Sequence, residues 1–535
     1  MRPLWTANSM SLKKLVNGLG LALLLTAFAL SLGKIVNRVH TGIVGNQKVL
    51  RFAHWRLEGP TIAGYEAVAK AYMARHPDVI IEQMPIPLRV WPMWVRSQLT
   101  GGTIPDLVMY HRYFIEDANL ARDFVPLGAY LGDPNPYNQG TPLEGVPWRL
   151  TFVGDLSGGR QFNDNLVDFF ALPTSRNSLR LFYNRELFAK IAGPGAVPPR
   201  GFREFLALAE KTRAYGEAQG FPIIPLAGSK DRGAQAMRGL ISGLTQSMVE
   251  KLDWNHDLSL GYVKGDPFFG YKAGLWSLRD PEIRTAFSAV RAIDLTQSRG
   301  HMQRMQDEAT FQFLQGRALM VPVYSIDAEN LVRLATFDVG VLGKLPQPRP
   351  RDPEYGMGSL GAVAEGGDKV DLPFAVSSHS KHPEVALDFL RFATSFQMNT
   401  LFTKISHYQP AVDGVAPPAG QEGFAPVREG YPGGIPLLDM SSVYAAFMAH
   451  FHLLSAWDGG VDAFISALEE EMMPALRADL RKAVEQQKFA IQRTDCLIPA
   501  YGSVSGSAEK LRFQTLIVKQ NEQENNVYRV LSELD

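Results

Sequence analysis

The chain of 535 residues contains a single cysteine, Cys496. One cysteine cannot form an intramolecular disulfide or supply a cysteine-based zinc site. None lies beside the apolar segment near the N-terminus, which excludes a lipid-modified cysteine there. Packed cores must therefore stabilise the protein, and a chain of this length is long enough for two or three domains.

The chain also lacks an excess of charge of either sign, because 54 basic residues balance 54 acidic ones. Nothing therefore indicates a polyanion such as nucleic acid as a partner. A Gly-Lys-Ser/Thr phosphate loop is absent. The stretch GSVSG at 502–506 has valine at the centre, where a nucleophile elbow needs serine.

No local cluster of residues points to catalysis or to a metal. The run Glu469–Glu471 is typical of a solvated helix face, and the pairs His379/His382 and His450/His452 have no acidic or cysteine partner at metal-ligand spacing. A carbohydrate-active enzyme with two distant carboxylates stays open as the less favoured alternative. We expect no enzyme activity and no cofactor.

An apolar run near the N-terminus predicts export. Lys13 and Lys14 precede Leu15–Gly33, which carries no charged residue and is close to the length that spans a bilayer. The run is either a membrane anchor, with residues 1–14 in the cytoplasm, or a signal peptide cleaved near Ala29. Residues 34–48 are expected to be a linker. Either interpretation sends the remaining chain across the membrane.

Strands and helices alternate after the linker. VLRFAHW (Val49–Trp55), DVIIEQMPI (Asp78–Ile86) and DLVMY (Asp106–Tyr110) have the composition of buried strands, and helical patterns separate them. This alternation predicts an α/β domain with a parallel sheet. Ligands of such sheets bind beyond the carboxyl ends of the strands.

The segment Arg180–Gly193 (RLFYNRELFAKIAG) passes from a strand to a short helix through Tyr183-Asn184. A structural corner is the favoured interpretation, and a ligand-lining role stays open. Arg180, Arg185 and Glu186 are the residue types found at any solvated helix start.

Eight segments together resemble the extracellular solute-binding proteins of ABC importers, family 1. They are VLRFAHW, HPDVIIE (His76–Glu82), GGTIPD (Gly101–Asp106), RLFYNRELFAKIAG with Pro198-Pro199, GRALMVPVYS (Gly316–Ser325), SSHSKHPEVALDFLRF (Ser377–Phe392), ISHYQPAV (Ile405–Val412) and IPLLDMSSVYAAF (Ile435–Phe447). The resemblance covers about Val49 to Glu485 in the order of the family.

The resemblance implies two α/β lobes of the type II periplasmic-binding-protein fold, with a ligand cleft and a hinge between them. Lobe I would take residues 49–154 and 316–371, lobe II residues 155–315 and 372–490, and residues 491–535 would be a C-terminal extension. The implied function is to bind a sugar or oligosaccharide by lobe closure and to deliver it to an ABC permease. A binding protein that signals through a membrane receptor is the alternative. We expect a monomer in the periplasm or on the outer face of the cytoplasmic membrane.

Sugar binding needs flat apolar surfaces for the ring and polar groups for its hydroxyls. The resemblance places four aromatic side chains at the ligand: Trp55, Tyr110, Tyr324 and Tyr444. The polar side chains it implies are Arg56, Glu58, His111, Arg112, Asp231, Arg232 and Asp327. The structural alternatives are a buried core position for Trp55, a core position for Tyr444 in its apolar helix, and a surface pair between Asp231 and Arg232.

We expect the mature protein to keep residues 1–33 and to sediment with membranes, resisting extraction by high salt or carbonate. The reason is that Leu30 and Leu32 continue the apolar run past Ala29, where a signal peptide would already be polar. N-terminal sequencing of protein from the native host checks this. A mature chain that starts near Leu30 would contradict the anchor and leave the binding function in place.

Overall fold

The computed structural model describes residues 22, 25–26, 28, 43–44, 47–111, 114–115, 117–156, 162–163, 166, 168–254, 256, 265–365, 370–456, 459–502 and 507–534. The chain divides into two compact units. Unit 1 comprises Met1–Val125 and Phe374–Ala393, and unit 2 comprises Pro126–Pro373 and Thr394–Asp535.

Of the helices in the described ranges, none combines the length and the hydrophobicity of a bilayer-spanning segment. Of the run Leu15–Gly33, only residues 22, 25–26 and 28 are described. The predicted anchor or signal peptide therefore lies outside the described residues.

Unit 1 is built on a sheet with three parallel strands. Strand β2 (Gln47–His54) pairs in parallel with β3 (Val79–Pro85) on one side and with β4 (Leu107–Met109) on the other. The short β1 (Ile43–Val44) runs antiparallel to β2, so the linker predicted over residues 34–48 ends in strand structure. The parallel strands predicted from the sequence are confirmed.

Helices with described bounds in unit 1 are Gly59–Arg75, Trp91–Gly101, Asp117–Asp123 and Pro383–Ala393. The first has proline in its opening turn, where a missing N–H costs nothing, and ends before His76-Pro77. Tyr72 anchors it, because its hydroxyl donates to Asp388 Oδ2 over 2.7 Å and its ring meets Phe389 and Phe392 edge-on. The segment Pro383–Ala393 thus belongs to the core of unit 1.

Unit 2 contains a four-stranded sheet in the order β11-β8-β10-β9. Strand β8 (Leu179–Asn184) runs antiparallel to both β10 (Ala318–Tyr324) and β11 (Val339–Gly343), and β9 (Ile224–Leu226) pairs with β10 in parallel. Smaller pairings join β5 (Phe162–Asn163) to β6 (Asp168–Phe169) and β7 (Leu172–Arg176) to β13 (Gln409–Pro410).

Unit 2 also contains many α-helices among its described residues. They are Gly128–Leu131, Arg185–Ala192, Phe202–Ala218, Lys230–Leu244, Val249–Leu252, Asp266–Lys272, Pro281–Asp294, Gln306–Leu314, Ala328–Leu334, Phe396–Ser406, Ser441–Ser455, Val461–Gly502 and Ser507–Leu534.

The pairing of β10 and of β12 (Val370–Val376) differs from the lobe boundaries that the resemblance implies. The resemblance places residues 316–371 in the first lobe, but β10 is hydrogen-bonded to β8 and β9 in unit 2. The second part of lobe II was drawn as 372–490, yet the end of β12 pairs with β4 of unit 1 from Phe374 onwards. Long-range strand pairing determines the unit to which each strand belongs, and the spacing of motifs along the chain does not reveal that pairing.

The Tyr183-Asn184 corner is structural in the part of the chain described. Asn184 caps the following helix, since its Oδ1 accepts from the Leu187 backbone N–H over 2.9 Å. The Tyr183 ring is buried, and it meets the Phe188 ring edge-on at 5.4 Å. A side chain at Gly340 would collide with that ring, because a Cβ there would lie 2.4 Å from it.

Arg180, expected at the solvated surface, is buried in unit 2. Its side chain is 1% exposed and forms a two-pronged ion pair with Glu365, whose side chain is 7% exposed. The two hydrogen bonds measure 3.1 Å and 2.8 Å. The same guanidinium donates to the carbonyls of Gly423 and Ala425. A charge pair removed from water persists only when its hydrogen bonds are satisfied in this way.

The C-terminal extension is an integral part of unit 2. Val527, Val530 and Leu534 of its last helix are buried in the main hydrophobic core of the unit. Two cations bind the carbonyls at the end of that helix: Lys272 Nζ donates to Glu533 O over 2.7 Å, and Arg477 Nη1 donates to Leu534 O over 3.0 Å. Positive charge is favourable at a helix C-terminus.

Replacing Glu365 by Gln is expected to lower the free energy of unfolding by about 3–5 kcal/mol at pH 7, because Arg180 would stay buried without its counter-charge. Burial alone would raise the pKa of Glu365, but its hydrogen bond to Arg180 and the charges of Arg180 and Lys344 hold that pKa below its ordinary value. The pair therefore stabilises the fold at neutral pH, and this contribution is lost as the pH falls below the ordinary glutamate range near 4.3.

Denaturant unfolding across pH 3–7 measures both effects. The double variant Arg180→Met/Glu365→Leu is the control, because removing both charges should recover part of the lost stability. Equal stability of wild type and Glu365→Gln at pH 7 would contradict a tightly buried pair.

Candidate functional site

An aromatic cluster lies at the carboxyl end of the parallel strands of unit 1. Trp55 follows β2, and its ring meets those of Trp91, Phe114 and His111 edge-on at 5.1, 5.8 and 6.4 Å. Trp91 begins the helix after β3, and its ring lies 5.1 Å from that of Trp94 one turn later. The rings thus converge on the sheet edge where α/β proteins bind ligands.

The two aromatic residues predicted in unit 1 are both largely enclosed. Trp55 is 8% exposed and Tyr110 is 7% exposed. The core position held open for Trp55 is therefore what the structure shows. A ring this enclosed can shape a site, but it offers little of its face to a ligand.

The polar residues predicted in unit 1 differ in their exposure and in their contacts. Arg56 Nη1 lies 3.7 Å from Glu58 Oε1, and the side chain of Glu58 is the more exposed of the two. His111 packs against Phe114 at 5.3 Å. Arg112 lies outside the described residues. The Arg56–Glu58 pair and His111 therefore bring both hydrogen-bond donors and acceptors to this edge.

His54, which ends β2, was missed by the sequence-based prediction. It is fully buried, and its Nε2 lies 2.8 Å from Gln83 Nε2. Burial lowers its pKa to about 4, so the imidazole is neutral at physiological pH. It supports the sheet edge without adding charge to it.

In unit 2, one side of the helix Lys230–Leu244 carries polar side chains towards two tyrosine rings. Ser229 caps this helix by accepting from the Arg232 backbone N–H over 3.4 Å. The Arg232 guanidinium lies 3.9 Å from the centre of the Tyr324 ring. Gln235 donates from Nε2 to the Tyr324 hydroxyl. Tyr324 itself ends β10, so sheet and helix together fix this arrangement.

The same side of the helix continues to a second tyrosine. The Arg238 guanidinium lies 5.3 Å from the centre of the Tyr444 ring. Its Nε is 3.1 Å from Asp439 Oδ1 and donates to Leu438 O over 3.1 Å. Arg232, Gln235 and Arg238 recur every three residues, which places them on one side of a helix over about 9 Å of its axis. We call these three residues with Tyr324 and Tyr444 the tyrosine–arginine face.

The two predicted aspartates of unit 2 are exposed. Within the described residues no ion pair joins Asp231 to Arg232, so the surface pair considered as an alternative is not formed. Asp327 precedes the helix Ala328–Leu334. The structure thus brings together Arg232 and Tyr324, which were each predicted as site residues, and it adds Gln235 and Arg238, which the sequence-based prediction missed.

Gln235 and Arg238 could have been predicted from Arg232, because residues three and six positions further along a helix lie on the same side of it. The tyrosine–arginine face offers flat rings beside amide and guanidinium donors, which suits a ring-shaped ligand rich in hydroxyls. Across the described part of the chain, no group of three or more His, Cys, Asp or Glu side chains could hold a metal ion.

Comparison with known proteins identifies the family and the fold of the chain. The profile of the family described as bacterial extracellular solute-binding protein matches residues 133–424, more than half of the chain. Among curated proteins, none matches the chain in sequence.

Solved structures share the fold at low sequence identity. A "probable secreted solute-binding lipoprotein" from Streptomyces coelicolor aligns with a TM-score of 0.52 at 15% identity, covering 80% of this chain and 99% of its own. The cyclic α-maltosyl-1,6-maltose binding protein of Arthrobacter globiformis aligns at 0.51 with 15% identity, covering 80% and 99%. The GacH receptor of Streptomyces glaucescens aligns at 0.51 with 14% identity, covering 80% and 98%. The predicted family resemblance and α/β solute-binding fold class are confirmed.

Trp55→Ala is expected to lower the free energy of unfolding by about 3–5 kcal/mol, the usual cost of deleting an enclosed aromatic ring. Asp231→Ala, at an exposed position, should stay within about 0.5 kcal/mol of wild type and serves as the control. Denaturant unfolding measures both. A Trp55→Ala variant as stable as wild type would show that the ring is not part of the core.

Proposed function

The chain belongs to the family of bacterial extracellular solute-binding proteins, and on that premise we propose that it binds a sugar or oligosaccharide outside the cytoplasm and delivers it to the permease of an ABC importer. The tyrosine–arginine face is the observation that supports a sugar as the ligand. Its two rings and its amide and guanidinium donors match a ligand with an apolar ring face and many hydroxyls.

The ligand set of this proposal is the one expected from the sequence, with two additions. In unit 2, Arg232, Tyr324 and Tyr444 would contact the sugar together with Gln235 and Arg238, and Asp231 and Asp327 would stand at the exposed margin. In unit 1, Arg56, Glu58, His111 and Arg112 would supply hydrogen bonds, while Trp55 and Tyr110 would shape the site from behind.

Two related solved structures carry sugars in their descriptions and support this ligand class. GacH has been solved with acarbose, and the Arthrobacter protein binds a cyclic maltosyl-maltose. Ligand binding is proposed to close the two lobes, and the closed form is the one that a permease would recognise. The protein is proposed to be a monomer without enzyme activity, held at the outer face of the membrane by Leu15–Gly33.

Purified residues 40–535 are expected to gain thermal stability from one or more neutral mono- or oligosaccharides in a panel. Ligand at one hundred times its Kd adds about 2.7 kcal/mol to the free energy of unfolding. Tyr444→Ala should weaken binding by roughly 1–3 kcal/mol through loss of the aromatic contact. Thermal shift followed by titration calorimetry measures both.

Tyr528→Ala, which removes a tyrosine 70% exposed elsewhere in unit 2, is the matched control and should bind as wild type does. Chromatography of the ligand after prolonged incubation tests for turnover. A hydrolysis product would overturn the proposal that the protein only binds, and unchanged affinity in Tyr444→Ala would remove this face from the site.

A further inference from the structure

Three tryptophans form a continuous row in unit 1, and they differ in how far solvent reaches them. Trp55 is 8% exposed and Trp91 is fully buried, with neighbouring rings 5.1 Å apart. Trp94 continues the row 5.1 Å beyond Trp91, at an interplanar angle of 37°, and is partly exposed. The row therefore runs from the carboxyl end of β2 out to an accessible indole.

Trp94 is the most exposed of the three rings. Among the described residues its one ring contact is with Trp91, and none of them accepts a hydrogen bond from its Nε1. A partly exposed indole with an unpaired N–H offers both contacts that a sugar needs. The face packs on the C–H side of the ring, and the N–H donates to a hydroxyl.

The chain just before Trp94 is unusually apolar for a surface. Leu88, Val90 and Met93 are 51%, 47% and 79% exposed, and they lie between the end of β3 and the first turn of its helix. Exposed apolar patches mark binding sites for ligands or for proteins. The position at the carboxyl edge of parallel strands favours a small ligand over a protein partner.

We propose that Trp94, and neither Trp55 nor Tyr110, is the aromatic ring of unit 1 on which a sugar stacks. This inference rests on the proposed function, since it names a further contact for the same class of ligand. Trp91 would act as a positioning residue, because its buried ring supports Trp94 from behind.

The test uses the full chain, purified in a detergent without a sugar headgroup, and follows intrinsic tryptophan fluorescence during titration. The probes are four neutral trisaccharides: maltotriose, raffinose, xylotriose and triacetylchitotriose. For a trisaccharide that binds wild type, Trp94→Ala should raise Kd about tenfold or more with an unchanged Tm, and Trp94→Phe should recover most of the affinity. Phe489→Ala, which truncates an aromatic residue 59% exposed in unit 2, should leave Kd within about twofold.

Each other outcome overturns the inference in a distinguishable way. Wild-type affinity in Trp94→Ala would reject Trp94 as the stacking ring and leave the sugar-binding function intact. A wild type that binds none of the four probes would count against the proposed function and remove the inference with it. Self-association in sedimentation that Trp94→Ala abolishes would assign the apolar patch to a second copy of the chain.

Discussion

The buried ion pair between Arg180 and Glu365 is the constraint on which unit 2 depends most. Arg180 stands in β8, where its backbone pairs with Val323 of β10. Its side chain reaches Glu365 and two carbonyls of the 423–425 segment, so one guanidinium ties three distant parts of the chain together. Such a pair contributes little net energy compared with well-packed apolar residues in its place, but breaking one half of it is costly. It therefore selects one arrangement of these segments.

The geometry of the proposed site depends on that arrangement. Tyr324 is the last residue of β10 and pairs with Leu179 of β8, next to Arg180. The helix Lys230–Leu244 then supplies Arg232 and Gln235 to the Tyr324 ring and hydroxyl. A rigid sheet and a capped helix hold the donors, which is the condition for binding hydroxyls without a large ordering cost.

Sequence patterns predicted the elements whose signals are local. The parallel strands after the N-terminal segment, the Tyr183-Asn184 corner and the family were readable because hydrophobic runs and turn residues act over a few positions. The placement of Arg180 was not readable, since its partner Glu365 lies 185 residues away. Membership of β10 in unit 2 escaped prediction for the same reason.

The candidate site was predicted in part. Arg232 and Tyr324 were named and lie together, whereas Gln235 and Arg238 were missed, although they lie on the same side of the helix Lys230–Leu244 as Arg232. Trp55 and Tyr110 were named as contact residues, but both are largely enclosed, and for Trp55 the enclosing rings come from other segments of the chain. Whether an aromatic side chain at a strand end is buried depends on tertiary contacts, which a local sequence pattern does not show.

The protein is proposed to deliver its ligand to an importer, and uptake of the sugar by living cells tests this most directly. The native host with the gene deleted would be given a radiolabelled form of the sugar that most stabilises the purified protein. We predict that uptake falls sharply and returns when the wild-type gene is restored. Unchanged uptake, with loss of the transcriptional response to that sugar, would contradict the importer and identify a binding protein that signals through a receptor.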